Sequence, residues 1–143
     1  MDLFYQTCRE HGLKITPQRE QIYKEICRSA KHPTADQVYR AVKRRISSIT
    51  LDTVSRTLHL FVKAGLVISV ESYGTARRYD PNVQPHHHLH CTECGGIMDF
   101  EYRPFDRITA PAQVAGDFEV SRTRVVVSGI CANCKKKQKR KVR

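Results

Sequence analysis

The sequence predicts an α+β protein of two parts, and three features of its 143 residues lead to this class. Apolar residues recur at helical spacing over the first 64 residues, short strand-like runs follow Gly65, and two CxxC pairs lie in the second half. A chain of this length forms one ordinary domain or two small ones. A part near 50 residues buries little core, so it needs a metal, disulfides or a partner chain.

Four helices are predicted in the first half, and their starts and stops are visible in the sequence. Residues 3–11 form a short helix that Gly12 closes. Thr16 and Pro17 begin a second helix as N-cap and N1 proline, and Thr34 begins a third. The last helix covers residues 50–64 and has a predicted inward face of Leu51, Val54, Leu58, Phe61 and Val62. Its outward side chains are predicted to be Thr53, Arg56, Thr57 and Leu60.

A hairpin is predicted after these helices, because the apolar period changes beyond Gly65. The runs LVISVES and ARRYD flank a candidate turn at residues 72–75. Helices followed by a two-stranded hairpin are typical of a winged helix-turn-helix domain, whose last helix enters the major groove of DNA. Arg77 and Arg78 lie where such a wing meets phosphates. The alternative is an ordinary small helical domain with a solvated basic face.

The charge distribution separates the two parts further. The formal net charge is +11; residues 1–80 carry 14 Lys/Arg against 8 Asp/Glu, and residues 81–134 carry 4 against 6. Residues 135–143 hold 7 basic residues and no acid. The first part is therefore the better candidate for a polyanion partner, although a basic surface can also serve solubility alone.

These patterns predict a domain order. Residues 1–79 form the DNA-binding domain, residues 80–85 a hinge containing Pro81 and Pro85, and residues 86–134 a small α+β domain. That domain has strands in GGIMDFEY and VSRTRVVVSGI with a helix between them, and residues 135–143 form a basic tail, expected to be disordered. No apolar run is long enough to span a membrane and no signal peptide opens the chain, so we expect a cytoplasmic protein.

The two CxxC pairs predict a structural zinc site. Such a turn directs two thiolates at one point, and two pairs complete a closed tetrahedral site that supplies the stability a small core lacks. Thiol redox chemistry is the alternative, although it usually needs only one pair. The four ligands are Cys91, Cys94, Cys131 and Cys134.

The run HHHLHC predicts a second metal site beside the first. In an extended segment His86 and His88 point to one side and can reach one ion, whereas His87 points to the other. Asp80 and Asp99 are the nearby oxygen donors for Fe(II), Mn(II) or Zn(II). The alternative is a solvated polar loop, and His87 and His90 are expected to be exposed polar residues without a role.

These motifs together resemble the ferric uptake regulator (Fur) family over nearly the whole chain. The resemblance rests on GLKITPQR, HPTADQVY, TLDTVSRTLHLFVKAGLV, RRYD, HHHLHCTECG and the final CxxC, in the family's order and spacing. It implies a homodimeric repressor that binds double-stranded operator DNA when loaded with metal. It also implies structural zinc at the four cysteines, and a regulatory Fe(II) or Mn(II) held by His32, Asp80, His86, His88 and Asp99.

Within the family, Asp99 resembles the peroxide-sensing branch, in which Fe(II) and peroxide oxidise a ligand histidine; the matching residues are His32 and His86. Ser55 replaces the tyrosine common in the recognition helix, and Arg56 resembles the iron-sensing branch. The DNA-contacting set implied is Thr53, Ser55, Arg56, Thr57, Arg77 and Arg78.

Three alternatives are kept beside the peroxide sensor. The nearest is an iron, zinc or manganese uptake regulator on the same fold. A metal hydrolase using His86, His88 and Asp99 is a second, although no nucleophile or general base accompanies the cluster, so we expect no enzyme. A zinc-stabilised nucleic-acid packaging protein, which binds all duplexes alike, is the third.

Overall fold

A computed structural model describes residues 1–29, 31–70 and 76–141, and for Lys141 the backbone alone. Contacts divide the chain into two compact units, residues 1–83 and residues 84–143. Among the described residues, no helix has the length and apolar content needed to cross a membrane.

The first unit contains four helices and a two-stranded sheet. The helices are α1 (Asp2–Glu10), α2 (Pro17–Arg28), α3 (Ala35–Lys43) and α4 (Leu51–Lys63). Strands β1 (Ile68–Val70) and β2 (Arg78–Asp80) pair antiparallel, with Ser69 opposite Tyr79. This order agrees with the predicted winged plan; the predicted turn at residues 72–75 lies outside the described residues.

Local signals in the sequence fix the helix ends. The Thr16 hydroxyl accepts a hydrogen bond from the Arg19 amide, and Thr34 forms a capping box with Gln37. Gly12 and Gly65 follow α1 and α4 with φ of +61° and +70°, a backbone region that favours glycine. The predicted starts and stops of these helices are therefore confirmed.

One apolar core holds the first unit together. The predicted α4 residues Val54, Leu58 and Phe61 are fully buried in it, but Leu51 is 43% exposed, so its inward placement was wrong. Thr57 is 5% exposed and lies on the buried face, which corrects its predicted outward position. The other core members include Phe4, Ile22, Ile26, Val38 and Val42.

The second unit is a three-stranded sheet with short helices. Its strands are β3 (His87–Cys91), β4 (Ile97–Phe100) and β5 (Val126–Gly129), in the order β4-β3-β5. Strand β3 pairs antiparallel with β4 and parallel with β5. The single helix expected between β4 and β5 is instead two single turns, α5 (Arg103–Asp106) and α6 (Ala112–Ala115). Pro104 is the second residue of the first turn and Pro111 occupies the N-cap position of the second, so the prolines divide the segment.

The described part of the basic tail, residues 135–141, is helical, which corrects the disorder predicted there. Helix α7 (Ala132–Lys141) begins inside the second CxxC pair, where the Lys135 amide donates to the Cys131 carbonyl at 3.0 Å. Its lysines, arginine and glutamine are good helix formers, and the anchored first turn removes much of the nucleation cost. Charge composition alone misses both effects.

Candidate metal centres

The parallel pairing of β3 with β5 brings the two CxxC pairs together. Cys91 lies opposite Gly129 in this register, two residues before Cys131. The Thr92 amide donates to the Gly129 carbonyl at 2.8 Å and extends the pairing into the first CxxC turn. In that turn Gly95 has φ +68°, and a Cβ on Gly96 would come within 3.2 Å of the Cys94 sulfur. Glycine at both positions therefore lets the turn close on its thiols.

Four thiols meet in this way within the second unit. The four Sγ atoms all lie within 4.8 Å of one another, and those of Cys94 and Cys131 are 3.9 Å apart. Two sulfurs bound tetrahedrally to zinc at about 2.3 Å are about 3.8 Å apart, so the spacing fits this ion. Cys91, Cys94, Cys131 and Cys134 are free thiols and form no disulfide.

The acidities of these thiols also fit a cation. The Cys131 backbone N–H donates to the Cys91 sulfur at 3.3 Å, and this bond lowers the pKa of Cys91 to about 6. The pKa of Cys134 is raised to about 12, and the largest cause is its hydrogen bond with the Cys131 side chain. Without a cation Cys91 is therefore readily ionised while Cys134 stays protonated, whereas a bound dication favours the thiolate form of its ligands.

A histidine–carboxylate pair lies in the first unit. The Nε2 atom of His32 is 3.4 Å from Oδ2 of Asp80, and both side chains are buried. The other oxygen of Asp80 accepts the Asn82 amide at 2.7 Å, which orients the carboxylate. Two donors bound at about 2.1 Å to one ion are about 3.0–3.4 Å apart, so this pair has the spacing of metal ligands.

A second histidine–carboxylate group lies in the second unit, at the start of β3. The Nε2 atoms of His86 and His88 are 2.9 Å apart, and Oδ1 of Asp99 lies 3.7 and 3.4 Å from them. The antiparallel register places Asp99 directly opposite His88. The Nδ1 atom of His86 is 2.7 Å from the Gln84 carbonyl. We infer that Nδ1–H donates there, which leaves the Nε2 lone pair directed at the cluster.

The other two histidines of β3 are buried, which corrects their predicted exposure. His87 is fully enclosed: its ring centroid lies 5.4 Å from those of Phe100 and Phe105, and its Nε2 lies 3.1 Å from Asp106. The Val125 amide donates to its Nδ1 at 3.2 Å. His90 is 6% exposed. Strand β3 is paired along both edges, and the rings of Phe100 and Phe105 cover His87, so its polar character does not lead to exposure.

The predicted DNA-contacting residues occupy different environments within the first unit. Arg56 on α4 is exposed and paired with Asp52 at 2.9 Å, while Thr53 and Ser55 are half-buried. Arg77 is exposed. Arg78 is half-buried, and its guanidinium donates to the backbone carbonyl of His32 at 3.1 Å. This interaction is a role that sequence reasoning missed.

Comparison with known proteins agrees with this architecture. The ferric uptake regulator family model matches residues 10–128. The peroxide-responsive repressor PerR of Staphylococcus epidermidis is 35% identical over 127 residues, 89% of this chain and 85% of that protein. The Campylobacter jejuni peroxide stress regulator matches in structure with a TM-score of 0.67 and 28% identity, over 91% of this chain and 98% of that one.

The fold is also that of a ferric uptake regulator. The Helicobacter pylori ferric uptake regulator Fur matches with a TM-score of 0.74 at 20% identity, over 92% of this chain and 89% of that one. The predicted resemblance and fold class are thus confirmed, and neither a hydrolase nor a packaging protein is indicated. The chain belongs to the ferric uptake regulator family, whose members are metal-dependent transcription regulators and not enzymes.

Proposed function

We propose that this protein is a DNA-binding repressor that requires a regulatory metal and senses hydrogen peroxide. The observation that carries the proposal is the donor set: one buried His–Asp pair in the first unit, and two histidines with a carboxylate in the second. Each set alone is too small for an ion that prefers five or six ligands, and imidazole with carboxylate suits Fe(II) or Mn(II). The 35% identity to a peroxide-responsive repressor supports the sensing role.

One ion taking ligands from both sets would tie the DNA-binding unit to the second unit. The proposed ligands are His32, Asp80, His86, His88 and Asp99, and the four cysteines hold a structural zinc. In a homodimer such a tie fixes the distance between the two recognition helices, and operator half-sites demand one particular distance. Metal binding and DNA binding then favour the same state, so each raises the affinity for the other.

Peroxide would weaken this metal-mediated link by oxidising one of the ligands. Ferrous ion bound there supplies the redox chemistry for peroxide reduction. One oxygen of hydrogen peroxide is added to an imidazole carbon of His32 or His86, and the other oxygen leaves as water. The modified ring is a poorer ligand, so the tie weakens and the protein releases DNA.

The DNA-reading surface is proposed to include α4 and the wing. Arg56 and Arg77 are exposed cations for this surface, and Thr53 and Ser55 are the half-buried polar residues of α4. Thr57 is left out because its side chain is buried. Serine in place of a tyrosine at position 55 removes an aromatic group from this surface, which favours an altered operator preference.

A second copy of the chain is the proposed partner of the second unit. In the described part of this unit the buried apolar residues are only Cys91 and Ile97. Large apolar side chains remain exposed instead, including Val114 at 80% and Phe118 at 73%. Such a surface is too apolar for a unit that stands alone, and burial against an identical copy is the common solution.

The test compares metals on one DNA duplex, selected from a random-sequence pool by the manganese-loaded protein. We expect tight binding with Mn(II) or Fe(II), and peroxide should release DNA from the Fe(II) form alone, followed by fluorescence anisotropy. Metal-switched binding that resists peroxide in both forms would favour a metal-uptake regulator. A metal-uptake regulator is the second candidate function because Arg56 resembles the iron-sensing branch.

Helix α7 is proposed to add sequence-independent DNA affinity. It carries five described cationic side chains and no acid, namely Lys135, Lys136, Lys137, Lys139 and Arg140. It has no apolar face, which argues against a membrane-surface role. We expect replacing lysines 135–137 by glutamine to weaken binding to random duplex and to lower the salt slope by about 0.9 for each phosphate that is no longer neutralised. Arginine at the same positions is the control, and equal slopes for both variants would contradict the role.

A further inference from the structure

Arg78 contacts the loop that carries His32, within the first unit. Its Nη1 donates to the His32 carbonyl at 3.1 Å and also lies 3.4 Å from the Lys31 carbonyl. The side chain is half-buried, unlike that of the neighbouring Arg77. A guanidinium engaged with two carbonyls of its own unit is poorly placed to bind a phosphate.

The loop needs such support because of its backbone. His32 has φ +47°, the left-handed region that an L-residue with a Cβ occupies only when its surroundings hold it there. In the described part of the chain it is the one non-glycine residue with a positive φ. Its buried imidazole is aimed at Asp80, 3.4 Å away, so the backbone conformation and the donor geometry are linked.

Strand β2 holds this loop at successive positions. Thr34 forms an isolated antiparallel bridge with Arg78, and the Tyr79 amide donates to the Pro33 carbonyl at 3.0 Å. The next residue of β2 is Asp80. Three consecutive residues therefore supply a guanidinium for the His32 carbonyl, a backbone bond to the loop, and the carboxylate that faces the imidazole.

We propose that Arg78 is a positioning residue for the regulatory metal and does not bind phosphate. Its guanidinium fixes the His32 backbone, so that the imidazole and Asp80 form a preorganised pair before the ion arrives. This inference rests on the proposed function, because it takes His32 and Asp80 as ligands. It also changes the assignment made from sequence, which placed Arg77 and Arg78 alike against DNA.

The test measures Mn(II) affinity and DNA affinity separately in matched variants. Groups that orient a ligand typically contribute 10–100-fold to metal affinity, so we expect Arg78→Met to weaken Mn(II) binding by about 10-fold or more. Electron paramagnetic resonance of free Mn(II) gives the affinity. At saturating Mn(II), DNA affinity and its salt slope should return to those of the unmodified protein. Arg77→Met should do the opposite: unchanged Mn(II) affinity, with the salt slope reduced by about 1.

Two further variants make the outcome decisive. Arg78→Lys keeps a cationic donor near both carbonyls, so it should bind Mn(II) more tightly than Arg78→Met; equal weakening in the two would overturn positioning by hydrogen bonding. If Arg78→Met does not fold, Arg78→Gln replaces it, because glutamine is neutral and can still donate a hydrogen bond; a reduced DNA salt slope with wild-type Mn(II) affinity in that variant would overturn the proposal. His32→Ala distinguishes failure of the proposed ligand set from failure of the proposed role of Arg78. If His32→Ala leaves Mn(II) affinity unchanged, the ligand assignment fails. If His32→Ala weakens Mn(II) binding and Arg78→Met does not, only the role of Arg78 fails.

Discussion

Cys131→Ser should lose the zinc and the fold of the second unit. The unit has almost no apolar core of its own in the described residues, so the free energy of zinc binding is its main source of stability. For structural zinc this free energy is about 10–16 kcal/mol, and a site opened at one of four thiolates forfeits much of it. We expect a zinc content near zero by mass spectrometry of the metal, and loss of β-sheet signal by circular dichroism.

Cys27→Ser is the matched control for this prediction. Cys27 is an exposed free thiol on α2, remote in sequence from both CxxC pairs, so its replacement should leave zinc and fold unchanged. A Cys131→Ser protein that still holds one zinc per chain and a folded second unit would refute the four-cysteine assignment.

His88→Ala should keep the zinc and the fold but lose metal-dependent DNA binding. Its Nε2 is the donor closest to the other two of its group, 2.9 Å from His86 and 3.4 Å from Asp99. Its removal takes away one of the proposed direct ligands, which should weaken Mn(II) affinity by more than the roughly 100-fold upper range for groups that only orient a ligand. The cysteines form a separate cluster, so zinc content should not change.

His11→Ala controls for the removal of a histidine as such. His11 is exposed just beyond α1, and no metal ligand is proposed there. Both variants are titrated with Mn(II) in the presence of the selected duplex. An unchanged Mn(II) response in His88→Ala would remove His88 from the regulatory site.

Much of the first unit could be predicted from sequence because its signals are local. Thr16, Thr34 and Gly65 act within one helical turn of themselves, and the apolar period of α4 identified Val54, Leu58 and Phe61. The errors in α4 lie at the edges of its apolar face. There a one-residue step of about 100° decides whether Leu51 or Thr57 turns inward, and packing against neighbouring helices makes that choice.

The second unit was less predictable because its order depends on distant pairing. The CxxC spacing predicted that four cysteines meet, but the parallel register of β3 with β5 that unites them is not visible in either strand. The same pairing buries His87 and His90, whose polar character suggested exposure. Five of the six residues in HHHLHC are buried and Leu89 is exposed, a pattern that the polarity of the sequence does not indicate.

The hydrogen bond from Arg78 to the His32 carbonyl shows another limit. The two residues are 46 positions apart, and an arginine in a wing is ordinarily assigned to phosphate. Only the folded loop, with its positive φ at His32, shows that the Arg78 side chain also supports the His32 backbone.

Mass spectrometry of the iron-loaded protein after brief, mild peroxide is the sharpest test of peroxide sensing, with the manganese-loaded protein as the control and DNA binding followed in parallel. We expect one added oxygen on the peptide that carries His32 or His86, in the iron form only, with loss of DNA binding in proportion. Unmodified histidines, in a protein whose DNA binding is still switched by metal, would contradict peroxide sensing and assign the protein to metal uptake.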